Sequence, residues 1–454
     1  MYIKNVNELL ITDIHKDMIE LINEGLRSAD PVIAIKRNVE LVGNKLRVVD
    51  EHVDLSLYER VLVLGIGKAS FKMAQGIESV LEEVIDKGLV IMPKGAKVDA
   101  SLLKKIKVFY GNHPYPSHDT IRSSLELIKL AKEANKRTFV IVLISGGGSA
   151  LFEVLPKGIS VHDLTKLNEL LLKSGADIRE VNTVRKHVSL VKGGQLLRYL
   201  NGAKVYALII SDVVGDYIEF IASGPTAPDT TTFRDAYEVL VRYGLWDKVP
   251  KSIRERIKLG VEGKVPETPK PGDPLFNRVR NYIVASNIIA LRSIAKKAKE
   301  LGYNPLILTS HMEGEAREVG KFIASVIRTV KEHDIPVNKP AALIMGGETT
   351  VTVRGSGVGG RNQELALSVA ISIAGLRDVV FASFGTDGID GVTDAAGAIV
   401  SSETMNMAKD ARLNLKEYLE NNDSYTLFKK LGHHLIITGA TGTNVNDIAI
   451  ALIR

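Results

Sequence analysis

Five places in the sequence combine residues able to hold an anion with residues able to bind a metal ion or take up a proton. In each, a short apolar run breaks into glycines and polar side chains. The first is Val61–Leu64, leading into Gly65-Ile66-Gly67-Lys68-Ala69-Ser70. A strand passing through Gly65 and Gly67 into a helix would set Lys68 and unshielded backbone N–H groups at an anion-binding turn. A tight turn with a surface lysine is the plain alternative. The P-loop pattern G-x-x-x-x-G-K-[ST] is absent, and Ser70 stands where a dinucleotide fingerprint needs its third glycine. The second place is Ile141–Ile144 followed by Ser145-Gly146-Gly147-Gly148-Ser149. Glycines leave amides uncovered and serine hydroxyls can donate, which suits a polyphosphate better than a flexible loop would.

The third is Val205–Ile210 followed by Ser211-Asp212 and Asp216. Mg²⁺ in phosphoryl-transfer sites takes one or two carboxylates plus phosphate oxygens, and this turn could supply one. Between the second and third places, Asn182, Arg185, Lys186, His187, Lys192 and Gly193 form a basic and amide cluster that could equally be a solvated helix face. The fourth is Met345-Gly346-Gly347-Glu348-Thr349, continuing to Gly355, Gly357, Gly360 and Arg361. These glycines match G-x-G-x-x-G, but the next acid after a strand, Asp387, lies 27 residues beyond Gly360, against the usual ~20. Arg361 could clamp a phosphoryl group through two donors, a role lysine performs less well. The fifth is Val379–Phe384 followed by Gly385, Asp387, Gly388, Asp390, Gly391 and Asp394. Carboxylates there could bind metal or act as a general base, and the spacing is not that of an EF-hand.

All five places follow apolar runs, and ligands of open α/β sheets bind outside the carboxyl ends of the strands. Glycine-rich anion cradles, a lysine, an arginine and carboxylates are the components of Mg²⁺-dependent phosphoryl transfer, which needs positioning and charge neutralisation more than a covalent nucleophile. Serine hydrolase chemistry is disfavoured because no G-x-S-x-G elbow is present.

The elements that would carry these junctions alternate. Val61–Leu64, Gly88–Met92, Ile106–Tyr110, Thr138–Ile144 and Val205–Ile210 read as strands; Ala69–Glu83, His118–Asn135 and Ser160–Ser174 read as helices between them. Continuous apolar strands joined by helices predict a Rossmann-like, doubly wound parallel sheet. The chain opens with a helix over Asp13–Ser28 and a second starting at Asp30-Pro31. From Val249 to Pro274 the sequence is charged and broken by five prolines, and reads as a connection. Beyond it, Asn281–Ala285, Asn304–Thr309, Ala341–Met345, Thr349–Arg354, Val379–Phe384 and His434–Ile437 read as strands, with helices over Ser286–Leu301 and Arg361–Gly375. The run Gly346–Gly360 has hairpin character, so this second α/β domain should have a mixed sheet. The expected organisation is 1–248, whose first helices are free to pack on the other domain, then 249–274 as connection, and 275–454.

The chain has 454 residues, 45% hydrophobic and 25% charged, and no cysteine. Disorder, disulfides, thiolate metal sites and cysteine nucleophiles are excluded. A net charge of +6 interleaved along the chain argues weakly for an anionic ligand and little for nucleic acid. Residues 1–20 carry Lys4, Asp13, His15, Lys16, Asp17 and Glu20 and no apolar core, so no signal peptide is expected and a cytoplasmic location is. No apolar run reaches the ~20 residues of a membrane span. A homodimer is compatible with the sequence.

The segments LGIGKAS (64–70), GNHPYP (111–116), ISGGGSALF (144–152), NTVRKHVSLVKGGQ (182–195), SDVVGD to IASGPT (211–226) and GGETTVTV through GGRNQELAL to GTDGIDGVTDAAG (346–397) occur in order along nearly the whole chain. Together they closely resemble the glycerate 2-kinase family of the type that carries a C-terminal MOFRL domain. That resemblance implies transfer of the γ-phosphoryl group of ATP to the 2-hydroxyl of D-glycerate, with Mg²⁺, in a cleft between a Rossmann-like domain and the MOFRL domain. It matches the family's catalytic lysine to Lys68, its arginine to Arg361 and its acidic positions to Asp212 and Asp387. Joined to the residue reading, it puts ATP phosphates on Ser145, Gly146, Gly147, Gly148 and Ser149, with Gly67, Lys192, Gly193, Gly347 and Glu348 on the nucleotide side. Glycerate would meet His113, Asn182 and Arg185, and Asp212 and Asp387 would divide metal binding and proton acceptance. An NAD(P)-dependent hydroxypyruvate reductase is the alternative, resting on Gly355–Gly360 and on a label some relatives have carried. A non-catalytic binding protein would need no carboxylates beside phosphate loops.

Overall fold

The computed structural model describes residues Met1–Arg454 and divides into two compact units, Pro31–Val284 and Met1–Asp30 with Ala285–Arg454. No helix is long and apolar enough to cross a membrane.

The unit Pro31–Val284 begins with a small antiparallel sheet of β1 (Val39–Val42), β2 (Lys45–Val48) and β3 (Glu51–Asp54). Its main sheet contains β4 (Arg60–Ile66), β5 (Ile85–Pro93), β6 (Ile106–Gly111), β7 (Thr138–Ile144), β8 (Lys204–Ile210) and β9 (Val279–Ala285). The spatial order is β6-β5-β4-β7-β8-β9. The four ladders from β6 to β8 are parallel. β4 and β7 are buried along almost their whole length, as apolar runs flanked by helices must be. The expected parallel sheet is therefore present, and β4, β7 and β8 all deliver their carboxyl ends to one edge.

The expected connection over 249–274 is not a connection. Lys251–Val261 is a helix whose Ile253 and Ile257 are buried with Leu164, Leu167, Leu171 and Phe233. The following prolines run along the same unit, with Pro269 accepting a hydrogen bond from the Asp229 N–H at 2.9 Å. Asn281–Ala285, assigned above to the second sheet, belongs to β9 at the edge of the first. The boundaries at 248 and 275 thus give way to 30/31 and 284/285.

The second unit carries β10 (Asn304–Met312), β11 (Ala341–Gly347), β12 (Val379–Gly385), β13 (Gly397–Ser401), β14 (Leu435–Ile436) and β15 (Asp447–Ile453). Their order is β10-β11-β15-β12-β13-β14, with only the β10–β11 ladder parallel, so the sheet is mixed as expected. Alternate residues of its strands face opposite layers. Leu343, Phe381 and Ala451 pack with the helices Ala316–His333 and Arg361–Ser372. Ile448 meets the helices Asp13–Ala29 and Asn287–Glu300, where Gly25 lies against Ile294 and Ile448. The strand expected over Thr349–Arg354 is absent, and Gly346–Gly360 is no hairpin. The chain there is held by another turn: Asn422 Oδ1 accepts from the Arg354 and Gly355 N–H groups at 2.7 and 3.1 Å, and Asp423 Oδ1 from Val358 N–H at 2.9 Å.

Candidate active site

In the first unit the ends of β4 and β7 are laced together. Ser145 N–H donates to Ile66 O at 3.0 Å, Lys68 N–H to Gly146 O at 2.9 Å, and Ala69 N–H to Ser145 Oγ at 3.0 Å. The two loops touch so closely that a Cβ on Gly67, whose φ is +118°, would lie 2.3 Å from Ser145 Oγ. Ser145 is buried, and its Oγ, accepting from Ala69 N–H, helps to shape the loop. Beyond it, Asp212 from the end of β8 lies on Gly146, where a Cβ would come within 1.8 Å of its Oδ2. Gly147, at φ +78°, has Lys68 Cγ and His113 Nε2 at 3.0 and 3.2 Å from its Cβ position. Lys68 is exposed at this contact.

A pocket of about 340 Å³ opens beside this loop, lined by Gly147, Ser149, Asp212, His113, Asn182 and Arg185, among others. The helix Ile178–His187 places Asn182 and Arg185 three residues apart on one face, and Asp177 with Glu180 caps its start. Asn182 Oδ1 accepts from Ser223 Oγ at 2.8 Å, and Ser223 Oγ is 2.8 Å from Ser149 Oγ. Arg185 Nε donates to Asn168 Oδ1 at 2.7 Å. Burial opposes the Arg185 charge, and Glu153 restores part of it. His113 is different. Burial and the Lys68 ammonium both push its pKa below the usual imidazole value, so at neutral pH it offers a neutral ring and Arg185 is the cation.

Lys192 lines the same pocket, but its ammonium donates to Glu153 Oε2 at 2.7 Å and to Phe152 O at 2.9 Å, with 2% of each charged side chain exposed. It neutralises a buried carboxylate and brings no spare charge to a nucleotide. Gly193 likewise donates its N–H to Ser223 O at 2.9 Å. Lys186 and His187 are buried against Asp229, with Glu219 and Glu267 completing the set, so of the two readings left open the solvated face is excluded for these residues and they form a charge network.

In the second unit the site lies at the carboxyl ends of β11 and β12. Arg361 opens the helix Arg361–Ser372 and donates through Nε to Asp447 Oδ2 at 2.6 Å and through Nη2 to Oδ1 at 3.1 Å. Its Nη1 lies 2.7 Å from Glu348 Oε1. Burial works against the guanidinium charge, and Asp447 more than offsets it. Asp447 itself is 1% exposed, and burial pushes its carboxyl up to about 6 although Arg361 pulls the other way. The three acids of the fifth junction part company. Asp390 caps the Arg361 helix, accepting from the Asn362 and Gln363 N–H groups at 3.1 and 2.9 Å, and Asp394 accepts from Tyr425 OH at 2.8 Å. Asp387 stays at the site: its Oδ1 and that of Asp447 lie 3.1 and 3.4 Å from the Cβ position of Gly385. Gly347, at φ +147°, is required by the approach of Met312, whose carbonyl oxygen would lie 2.2 Å from a Cβ there.

Sequence reasoning missed Asp447. β15 is antiparallel to β11 and β12, pairing Asp447 with Gly347 and with Gly385. Its amino end therefore shares an edge with their carboxyl ends, and inspecting the residues after each apolar run passes over it. The usable signal was the polar run Thr438–Asp447 before the last apolar segment. The glycines of the G-x-G-x-x-G match are filled: Cβ positions on Gly355 and Gly357 fall 2.3 Å from Asn421 O and Asp423 Cβ. No backbone there is open to a dinucleotide.

No three His, Asp or Glu side chains stand where they could hold a metal ion by themselves. A Mg²⁺ carried with phosphates needs only one or two protein carboxylates, and Asp212 on the Gly146 loop fits that requirement.

Residues 17–258 match a family model described as a domain of unknown function (DUF4147), and residues 341–447 match the MOFRL family. A glycerate 2-kinase from Pyrococcus horikoshii is 42% identical over 98% of both chains, and a D-glycerate 2-kinase from Thermotoga maritima is 43% identical over 92% of this chain and 96% of its own. The chain belongs to the glycerate 2-kinase family. A family relative from Agrobacterium vitis, 39% identical over 95% of this chain and 93% of its own, carries a hydroxypyruvate reductase name. The crystal structure of the Thermotoga maritima glycerate kinase has a TM-score of 0.86 at 41% identity, covering 97% of this chain and 99% of that one. Within the family's two matched regions, the first spans Lys68, Arg185 and Asp212, and the second runs from β11 to Asp447.

Proposed function

We propose that this chain transfers the γ-phosphoryl group of ATP to the 2-hydroxyl of D-glycerate, giving 2-phosphoglycerate and ADP. The observation that carries this reading is the pocket of about 340 Å³ that gathers Gly147, Ser149, Asp212, Asn182 and Arg185, with Lys68 in contact with Gly147. Arg185, held by Asn168, takes the glycerate carboxylate; Asn182 and the neutral His113 take its hydroxyls. The backbone of Gly146–Ser149 receives phosphate oxygens, and Lys68 and Arg361 neutralise charge on the transferring group. The glycerate 2-oxygen forms a bond to the γ-phosphorus while the bond to the bridging oxygen of ADP breaks, and the hydroxyl proton leaves to Asp212 or Asp387. The other of these two carboxylates would hold Mg²⁺, which when bound with ATP neutralises charge on the phosphate oxygens.

Incubation of the purified chain with ATP, Mg²⁺ and D-glycerate should yield ADP and one product, phosphorylated at carbon 2 by ³¹P NMR. Absence of phosphorylation, with NADH oxidised on addition of hydroxypyruvate, would replace the reading with the reductase.

A further inference from the structure

The guanidinium of Arg361 is held from two sides by carboxylates of opposite character. Asp447 takes Nε and Nη2, and its side chain is 1% exposed. It begins β15, the strand between β11 and β12, and Asn287 Nδ2 donates to its carbonyl at 2.9 Å. Its backbone is fixed between Gly347 and Gly385 in the sheet. Glu348 takes Nη1 at 2.7 Å, and its side chain is 45% exposed. It follows Gly347 at the open end of β11, anchored through its own N–H to Met312 O at 2.7 Å, while its side chain reaches into solvent. No hydrogen bond from another group fixes the Glu348 carboxylate.

We propose that Glu348 occupies the position on Arg361 Nη1 that a phosphoryl oxygen takes when the nucleotide binds, and that the nucleotide displaces it. This rests on the reading of Arg361 as the charge-neutralising arginine. A carboxylate oxygen and a phosphoryl oxygen are interchangeable acceptors for one guanidinium N–H edge, and the buried bidentate pair keeps the edge pointed outward after Glu348 leaves. Sequence reasoning placed Glu348 among nucleotide-binding residues. Its charge instead makes it a competitor for the group that binds the nucleotide. An exposed ion pair is worth about 0–1 kcal/mol, so the closed pair should raise the apparent KM about two- to fivefold.

Initial rates at saturating D-glycerate and Mg²⁺, with ATP varied, test this in wild type, Glu348→Gln and Glu348→Asp. Both variants should lower KM for ATP about two- to fivefold, by more than either changes kcat, and should tighten binding of non-hydrolysable adenylyl imidodiphosphate by the same factor. Aspartate keeps the charge but is too short to reach Nη1, so it separates displacement from simple repulsion. A fall in KM in Glu348→Gln alone would overturn displacement. An unchanged or higher KM in both variants would overturn it as well, the latter marking Glu348 as a ligand for the nucleotide or its metal. Failure of wild type to phosphorylate glycerate would sink the kinase reading instead, a result distinct from either.

Discussion

Arg361 and Asp447 stand 86 residues apart in sequence and meet through two parallel hydrogen bonds, at 2.6 and 3.1 Å, at the end of the mixed sheet. Only the second of these residues is fully buried. That asymmetry makes Asp447 the holder and Arg361 the group that is held, and it gives the pair a pH signature.

Asp447 has its carboxyl raised from 3.8 to about 6. Folding favours its neutral form, so its contribution to stability is present below pH 3.8 and is lost as the pH rises through about 6. Activity should run the other way. Below about pH 6 the acceptor on Arg361 is protonated, and kcat should fall. Asp447→Asn should flatten that acid limb and lower the plateau at pH 8 on the order of 10²-fold, as misplacement of a charge-neutralising group does. A mutant profile parallel to that of wild type would show that the limb belongs to another group.

Arg361→Lys cannot keep the bidentate contact with Asp447, and kcat should fall by about 10²–10³-fold. Lys68→Ala removes an exposed side chain, so its melting temperature should match wild type while kcat drops about 10²-fold. Thermal melts beside steady-state rates separate the two effects. Near-normal turnover in either variant removes that residue from the chemistry.

Gly146→Ala would drive a methyl group to within 1.8 Å of Asp212 Oδ2. The carboxylate must move, so this variant should reproduce the kinetics of Asp212→Asn: a higher Mg²⁺ concentration for half-maximal rate and a lower kcat. Titration of Mg²⁺ at fixed ATP checks it, and an unaltered metal requirement in both would take Asp212 out of metal binding.

Asn168→Ala leaves Arg185 charged but frees its Nε, which now donates at 2.7 Å. KM for D-glycerate should rise roughly tenfold, as loss of a hydrogen bond to a charged group predicts, with KM for ATP little changed. Equal rises for both substrates would indicate that the helix bearing Arg185 had shifted as a whole.

The residues that follow β4, β7, β8, β11 and β12 were legible in the sequence because a strand buried on both faces is a continuous apolar run, and its end is marked by glycines and polar residues. Gly67, Gly146 and Gly347 stand where another chain segment lies within 2.4 Å of a would-be Cβ, so backbone crowding had already written them into the chain. Ordered motifs such as LGIGKAS and ISGGGSALF were also enough to mark the family. Partnership was not legible. That Arg361 is held by Asp447, that Lys192 is spent on Glu153, that Asp390 caps a helix 28 residues away, and that Asn421–Asp423 fill the glycines after Thr349 all depend on contacts between distant segments. The same holds for the unit that residues 1–30 join and for the helix within 249–274. Local periodicity records whether a residue is buried. Only the closed sheets decide what it is buried against, and an antiparallel strand can bring its first residue to an edge where every neighbour presents its last.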